Sequence, residues 1–163
     1  MRRCDLMLAA ALVLVAPMAQ AAGLVAWSSD SLGVAAQVPE GWPSAQMYGG
    51  GYLFTAPGFE RHVAPHVALR AHPDSGADLG AAHDQMLQSL LLDGDQVTSD
   101  QHDKAGFDLR SLTALGKVEL RKTVRLNCKG GPILAELRID YMQDQSAEMA
   151  PLLADIPGSL ACK

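Results

Sequence analysis

Residues 118–142, VELRKTVRLNCKGGPILAELRIDYM, contain two alternating apolar runs on either side of a glycine pair. Gly130 and Gly131 are typical of a two-residue hairpin turn, because glycine adopts positive φ angles without steric cost. Such a turn fixes which residues face each other across the two strands. On the apolar face it predicts the pairs Cys128–Ile133, Leu126–Ala135, Val124–Leu137 and Leu120–Tyr141. On the other face it predicts the charge pairs Arg125–Glu136 and Arg121–Asp140.

A second tight turn is predicted at Gly116 and Lys117, which would add a third strand to this hairpin. The resulting three-stranded antiparallel meander would cover residues 107–142. Its predicted cross-strand pairs are Leu115–Val118, Leu109–Val124 and Phe107–Leu126, with Ser111 opposite Lys122.

Shorter strands and two helices are predicted outside the meander. Alternating apolar residues or short aromatic runs, each stopped by proline, indicate strands over residues 32–38, 52–56 and 67–71. A helix over 78–92 would begin at the N-cap Asp78 and end at Gly94, and a second would cover about 145–154. Together these elements predict a single α+β domain, with an antiparallel sheet flanked by two main helices.

The first 21 residues have the features of a cleaved secretory signal peptide. Arg2 and Arg3 precede an apolar run over residues 6–16, and Ala19-Gln20-Ala21 has the small-x-small pattern of a cleavage site. The run is about 11 residues long, whereas a membrane-spanning helix needs about 20. We therefore expect residues 22–163 to form one exported, periplasmic domain with no membrane span after cleavage.

The charge balance of this domain excludes some classes of partner. The full chain has 13 basic and 18 acidic residues, and removing Arg2, Arg3 and Asp5 leaves 11 and 17, a net charge of −6. An acidic chain is a poor ligand for nucleic acid or an anionic membrane. Another protein, for which a basic surface would be complementary, is the expected partner.

Two cysteines, Cys128 and Cys162, remain after the leader and Cys4 are removed. An even pair in an oxidising compartment predicts a disulfide. That bond would fasten the segment after the last helix to the apolar face of the meander.

Few residues have the patterns of catalytic or metal-binding groups. Ser111 opposite Lys122 would be a nucleophile–base pair of a hydrolase if burial lowered the pKa of the lysine. Three histidines, His62, His66 and His72, lie in or near one predicted strand, but a flat strand face does not bring ligands to a common point. The more economical interpretation is a solvated polar face, with no metal and no cofactor, and we assign no site to His83 or His102.

The segment Tyr48-Gly49-Gly50-Gly51-Tyr52 lies before a strand with no helix after it, which excludes a phosphate-binding loop. It is more typical of a mobile loop, and the alternative that would give it a function is a loop that presents tyrosines to a partner. Trp42, Tyr48 and Tyr52 are therefore the candidate partner surface.

The order of these motifs resembles that of the Mog1/PsbP-like superfamily, which includes DcrB-like periplasmic proteins. The resemblance rests on Val38-Pro39-Glu40-Gly41-Trp42 after an alternating strand and on Phe54-Thr55-Ala56-Pro57. A strand near residue 67, a helix from Asp78, Ala105-Gly106 before the meander and a closing helix follow in order. The resemblance implies an α+β sandwich and a role in binding or assembly without catalysis. Some exported members resemble immunity proteins against secreted toxins.

The sequence therefore favours a non-catalytic, periplasmic protein-binding module, of which an inhibitor or immunity protein is one form. The alternatives are a small-ligand or metal-binding envelope protein, using the histidine strand or a pocket behind Trp42, and a Ser–Lys hydrolase.

Overall fold

The computed structural model describes residues 23–163, and the predicted signal peptide, residues 1–21, lies outside them. The described residues form ten strands, two α-helices and one 3-10 helix (Gln143–Gln145). The helices are α1 (Leu79–Leu92) and α2 (Ser146–Asp155). The strands are β1 (Leu24–Ser29), β2 (Val34–Pro39), β3 (Ser44–Gln46), β4 (Tyr52–Thr55), β5 (His66–Pro73), β6 (Gln96–His102), β7 (Gly106–Leu112), β8 (Lys117–Cys128), β9 (Gly131–Met142) and β10 (Ala161–Cys162). Neither helix is long and apolar enough to cross a bilayer.

The strands form two antiparallel sheets. The large sheet has seven strands in the order β3-β4-β5-β9-β8-β7-β6, and the small sheet has the order β1-β2-β10. The main core lies between one face of the large sheet and a layer made of the small sheet and α2. Helix α1 covers part of the opposite face. The fold is the predicted α+β sandwich, with a small sheet added beside α2.

Helix α1 agrees closely with its sequence signals. The Asp78 side chain accepts hydrogen bonds from the backbone N–H groups of Gly80 and Ala81, at 3.0 and 3.2 Å. At the other end Gly94 has a φ of +79°, and the N–H of Asp95 bonds to the carbonyl of Leu90 at 2.9 Å. This is the Schellman arrangement, which needs a residue tolerant of the left-handed conformation. Leu90 is buried against Phe107 and Leu109 of β7.

The β8–β9 hairpin forms, but its register differs from the predicted one by two residues. The turn residues are Lys129 and Gly130, and Gly131 already pairs with Cys128 in the ladder. A shift by two keeps every side chain on its face, because side chains alternate with a period of two. The apolar face is therefore as expected, whereas its partners change to Leu126–Ile133, Val124–Ala135, Lys122–Leu137 and Leu120–Ile139.

The new register separates both predicted charge pairs. Arg125 lies opposite Leu134, not Glu136, and its guanidinium donates to the Asp74 carboxylate and, at 2.7 Å, to the carbonyl of Ala77. Arg121 lies opposite Arg138, not Asp140, and its guanidinium contacts Glu119 at 2.7 Å on the same strand.

The β7–β8 connection is longer than the predicted Gly116-Lys117 turn. Leu112 pairs with Val118, and Gly116, with a φ of +77°, lies in the loop between them. A turn followed by a left-handed residue is a common hairpin loop of this length. The register consequently differs by three residues, an odd number, which reverses the predicted faces of β7. Phe107 and Leu109 point toward α1 and lie opposite Thr123 and Arg121.

Asp140 on β9 is buried, with 1% of its side chain exposed. Its Oδ1 lies 3.0 Å from His66 Nδ1 on β5 and 3.0 Å from Lys117 Nζ on β8. A buried carboxylate needs such partners, because desolvation would otherwise exclude its charged form. This group therefore links three neighbouring strands of the large sheet.

The predicted disulfide between Cys128 and Cys162 is present, with an S–S distance of 2.05 Å. Cys128 ends β8, and Cys162 lies in β10, opposite Val34 of the small sheet. The bond therefore fastens the small sheet to the large one.

Replacing Cys128 and Cys162 by serine should lower the free energy of unfolding by about 3–4 kcal/mol, the chain-entropy value for a loop of this length. Urea unfolding of the wild-type protein and the double variant would measure the difference. Adding reductant should destabilise the wild type and leave the variant unchanged. Equal stability of the wild type with and without reductant would contradict the expectation.

Asp74 gives the fold an acid-sensitive contact. The hydrogen bond from Arg125 lowers the pKa of Asp74, against the opposing effect of burial. A lowered carboxyl pKa contributes stability above the unfolded value of about 3.9, and that stability is lost as the pH falls through the folded pKa. The free energy of unfolding should therefore fall less steeply with decreasing pH in Asp74→Asn than in the wild type.

Denaturant unfolding measured at several pH values below about 5 would check this for Asp74→Asn. Asp93→Asn, at an exposed position after α1, is the control. A pH profile as steep in Asp74→Asn as in the wild type would rule out this contribution.

Candidate functional site

Tyr48 lies at the tip of the loop between β3 and β4, and its exposed area equals that of a free residue (102%). The next three residues, Gly49, Gly50 and Gly51, have φ angles of +80°, +92° and +98°. A Cβ atom on Gly51 would lie 2.5 Å from the carbonyl oxygen of Leu69, so no side chain fits there. The glycines thus allow the chain to reverse sharply against β5 while Tyr48 projects into solvent.

The other two aromatic residues of the predicted surface are only half-exposed. Trp42 and Tyr52 pack against the main core. The Tyr52 ring meets Trp27 of β1 edge-on at 5.1 Å, and Trp27 meets Phe54 at 5.5 Å. These contacts join the two sheets. Of the three predicted residues, Tyr48 is the one that projects fully into solvent.

The structure does not bring Ser111 and Lys122 together. Ser111 lies opposite Glu119, and Lys122 lies opposite Asp108. The register difference of three residues also places the two side chains on opposite faces of the sheet. The prediction that Ser111 and Lys122 form the nucleophile–base pair of a hydrolase is therefore wrong.

Ser111 is buried, and its hydroxyl has no hydrogen-bond partner among the described residues. An unpartnered buried hydroxyl costs about 1–3 kcal/mol. Ser111→Ala should therefore raise the free energy of unfolding by about 1 kcal/mol, as measured by urea denaturation. Ser44→Ala, on the exposed strand β3, should change it by less than about 0.5 kcal/mol. Destabilisation of Ser111→Ala would mean that the hydroxyl is bonded.

The three histidines considered in the sequence each contact a different carboxylate. His66 bonds to Asp140, His72 Nε2 lies 3.5 Å from Glu136, and His62 Nδ1 lies 3.7 Å from Glu60. His62 lies outside β5, in the segment that precedes it. Within residues 23–163 these three histidines do not converge on a common point.

A different cluster, formed by His83, Asp100 and His102, was missed by the sequence analysis. His83 is buried on α1, and its Nε2 lies 2.9 Å from Asp100 Oδ1 on β6. His102 Nδ1 lies 3.4 Å from the same oxygen. The two imidazole rings are tilted by 33° to each other, with ring centroids 4.4 Å apart, and the His83 ring meets Phe107 edge-on.

The cluster depends on a helix that was predicted and a strand that was not. Strand β6 is polar and exposed along most of its length, so it lacks the apolar alternation that marks a half-buried strand. A register shift between Val97 and Ser99 interrupts it further. The available signal in the sequence was His83 itself, because its imidazole lies on the inward face of α1, which is otherwise apolar.

The protonated form of His83 and the ionised form of Asp100 are both favoured within this cluster. Burial acts to lower the pKa of His83, but hydrogen bonds to Asp84 and Asp100 outweigh it and leave that pKa above its ordinary value. The hydrogen bond from His83 lowers the pKa of Asp100. Asp100 is therefore an ionised carboxylate between two imidazoles.

Two open depressions lie on the described surface. The first, of about 260 Å³, is lined by His102, Phe107, Asp108 and Lys122 among others. The second, of about 570 Å³, lies between β1, β2 and α2 and is lined by Leu24, Gln37, Leu152 and Asp155 among others. Trp42 lines neither of them, so they do not supply the pocket behind Trp42 that one alternative function requires.

Neither a protein-family model nor a curated protein sequence matches this chain. Solved structures do match it. LpqN, involved in cell envelope biogenesis of Mycobacterium tuberculosis, has 16% identity and a TM-score of 0.54, over 78% of this chain and 82% of its own. Cyanobacterial PsbP from Synechocystis has 13% identity and a TM-score of 0.56, over 93% and 99%.

The Ran-binding protein Mog1p of Saccharomyces cerevisiae has 11% identity and a TM-score of 0.57, over 86% of this chain and 96% of its own. Identities this low establish the architecture and leave the function open. The similarity nevertheless extends over most of each chain, and it agrees with the fold that the order of motifs in the sequence implies. The chain therefore has the Mog1/PsbP-like fold.

Proposed function

We propose that this protein is a non-catalytic, exported module that binds another protein in the periplasm. The observation that carries the proposal is the full exposure of Tyr48 on a glycine hairpin at the end of the large sheet. A large aromatic ring that is fully exposed to water contributes no burial free energy to the fold. Tyrosine is among the residues enriched at the centres of protein interfaces, where such a ring becomes buried.

The neighbourhood of Tyr48 suits a protein partner better than a small molecule. Strand β3, which precedes the loop, is exposed at all three positions, and within residues 23–163 it pairs on one side only, with β4. A free edge strand offers backbone N–H and C=O groups to an added strand of a partner. Trp42 and Tyr52, half-buried nearby in the chain, would form the margin of this surface.

Two features support export of the module. The leader has the composition of a secretory signal, and the Cys128–Cys162 bond is of the kind that persists in oxidising compartments. Among the similar structures, LpqN is described as acting in cell envelope biogenesis and Mog1p as binding Ran. The first description supports a role in the envelope, and the second supports use of this fold for binding another protein.

The finer proposal is an inhibitor or immunity protein that neutralises a secreted toxin. Its support is the net charge of −6 expected after signal cleavage, which is complementary to a basic partner. This form of the proposal requires the captured partner to be a secreted toxin whose activity falls in the complex. Capture of an envelope assembly protein would reject the immunity role and retain the binding role.

Replacing Tyr48 with a benzophenone amino acid should give a covalent adduct with one specific protein after illumination of cells that export the chain. The same substitution at Leu115, which is 87% exposed in the β7–β8 loop, is the matched control. Adducts of equal yield and identity at both positions would refute a specific surface at Tyr48.

Once the partner is identified, Tyr48→Ala should weaken its binding by about 30-fold, the effect of losing one interface hot spot of about 2 kcal/mol. Leu115→Ala should leave the affinity within about twofold. Calorimetry with the purified partner would measure both. Unchanged affinity in Tyr48→Ala would show that binding uses another surface.

A further inference from the structure

We infer that His83, Asp100 and His102 form a binding site for a divalent transition-metal ion of the Zn²⁺ class. One ligand atom from each side chain can be chosen so that all three lie within 4.8 Å of one another. The residues come from two elements that are not adjacent in sequence, α1 and β6. This site is independent of the Tyr48 surface and of the proposed protein partner.

The spacing of the candidate ligand atoms fits a tetrahedral ion. With metal–ligand distances of about 2.0–2.1 Å, two ligands of a tetrahedral Zn²⁺ ion lie about 3.3 Å apart. The observed separations from Asp100 Oδ1 are 2.9 Å to His83 Nε2 and 3.4 Å to His102 Nδ1. The ligand atoms of all three residues lie within 4.8 Å of one another, so binding would require the exposed His102 side chain to move toward the other two.

Asp84 adds a fourth residue to the cluster, as the hydrogen-bond partner of the other ring nitrogen of His83. Its Oδ1 lies 2.9 Å from His83 Nδ1. In this arrangement His83 donates its Nδ1 proton to Asp84 and its Nε2 proton to Asp100, so an ion bound at Nε2 would displace the second proton and leave the hydrogen bond to Asp84 in place. A carboxylate that orients a ligating imidazole in this way is the usual outer partner in zinc sites.

Access and position also suit a metal ion. The side chains of His102 and Asp100 are 59% and 33% exposed to solvent. A fourth position would therefore be open to water or another ligand, as in three-ligand zinc sites. Because Asp100 and His102 lie on the edge strand β6, a bound ion would fasten that strand to α1.

The donor set determines the class of ion. Two imidazoles and one carboxylate favour Zn²⁺, Co²⁺, Ni²⁺ or Cu²⁺, whereas Mg²⁺ and Ca²⁺ prefer oxygen ligands throughout. The site is therefore distinct from an acidic surface that attracts any cation.

Isothermal titration of the purified protein, without a polyhistidine tag, with ZnCl₂ is the primary test. We expect one Zn²⁺ ion per chain and a melting temperature that rises with Zn²⁺ concentration, with no comparable response to MgCl₂. Co²⁺ bound at the same site should show the visible absorption of a tetrahedral complex. Failure to bind Zn²⁺, or equal affinity for Mg²⁺, would overturn the assignment.

Three variants and one control locate the ion. His102→Ala and Asp100→Asn alter exposed or half-exposed ligands and should weaken Zn²⁺ binding by about 100-fold or more, and Asp84→Asn by about 10-fold. His72→Ala removes an exposed histidine that lies beside a carboxylate elsewhere on the sheet, and it should stay within about twofold of the wild type. Unchanged affinity in His102→Ala, or an equal loss in His72→Ala, would refute the site.

His83 is buried, so His83→Ala could lose binding simply by unfolding. Circular dichroism of each variant without metal separates the two cases. Loss of Zn²⁺ binding in a folded His102→Ala variant supports the site whatever happens to His83→Ala.

Discussion

The buried carboxylate of Asp140 joins the three central strands of the large sheet. It lies on β9, the middle of seven strands, and contacts His66 on one neighbouring strand and Lys117 on the other. Removing one partner of a buried charge costs far more than a surface ion pair, because the remaining charge is left without compensation. The pairing of β5 with β9, which joins distant parts of the chain, is thereby tied to the local β8–β9 hairpin.

The same position explains the charges around it. The observed register places Glu119 directly opposite Asp140, two carboxylates that would repel each other. Arg121 binds Glu119 and Lys117 binds Asp140, so each acid has its own base. Of these two ion pairs, Lys117–Asp140 crosses from β8 to β9, whereas Arg121–Glu119 lies within β8 and offsets the repulsion between Glu119 and Asp140.

Sequence patterns predicted which faces are buried more reliably than which residues are neighbours. Both faces of the β8–β9 hairpin were right although its register was wrong by two residues, because alternation cannot distinguish shifts of an even number. The longer loop at Gly116 produced an odd shift, and that error reversed β7 and created the mistaken Ser111–Lys122 pair. Helix α1 and the disulfide were correct because capping residues and a cysteine count do not depend on register.

The sequence predicted the environment of a candidate site residue only where that environment is set by its neighbours in the chain. Exposure of Tyr48 follows from its three neighbouring glycines, whereas the partial burial of Tyr52 depends on Trp27, which reaches it from the other sheet. The His83 cluster required two elements to be placed in space, one of them a polar strand without apolar alternation.

The irregularity in β6 has a consequence for how the protein behaves in a crowded compartment. β6 is the last strand of the large sheet, and its outer edge is unpaired within the described chain. The register shift between Val97 and Ser99 breaks the even row of backbone groups along that edge, and Asp100 adds a charge. Interrupted, charged edges are poor templates for a further strand. The molecule is thereby protected at this end from polymerising sheet to sheet.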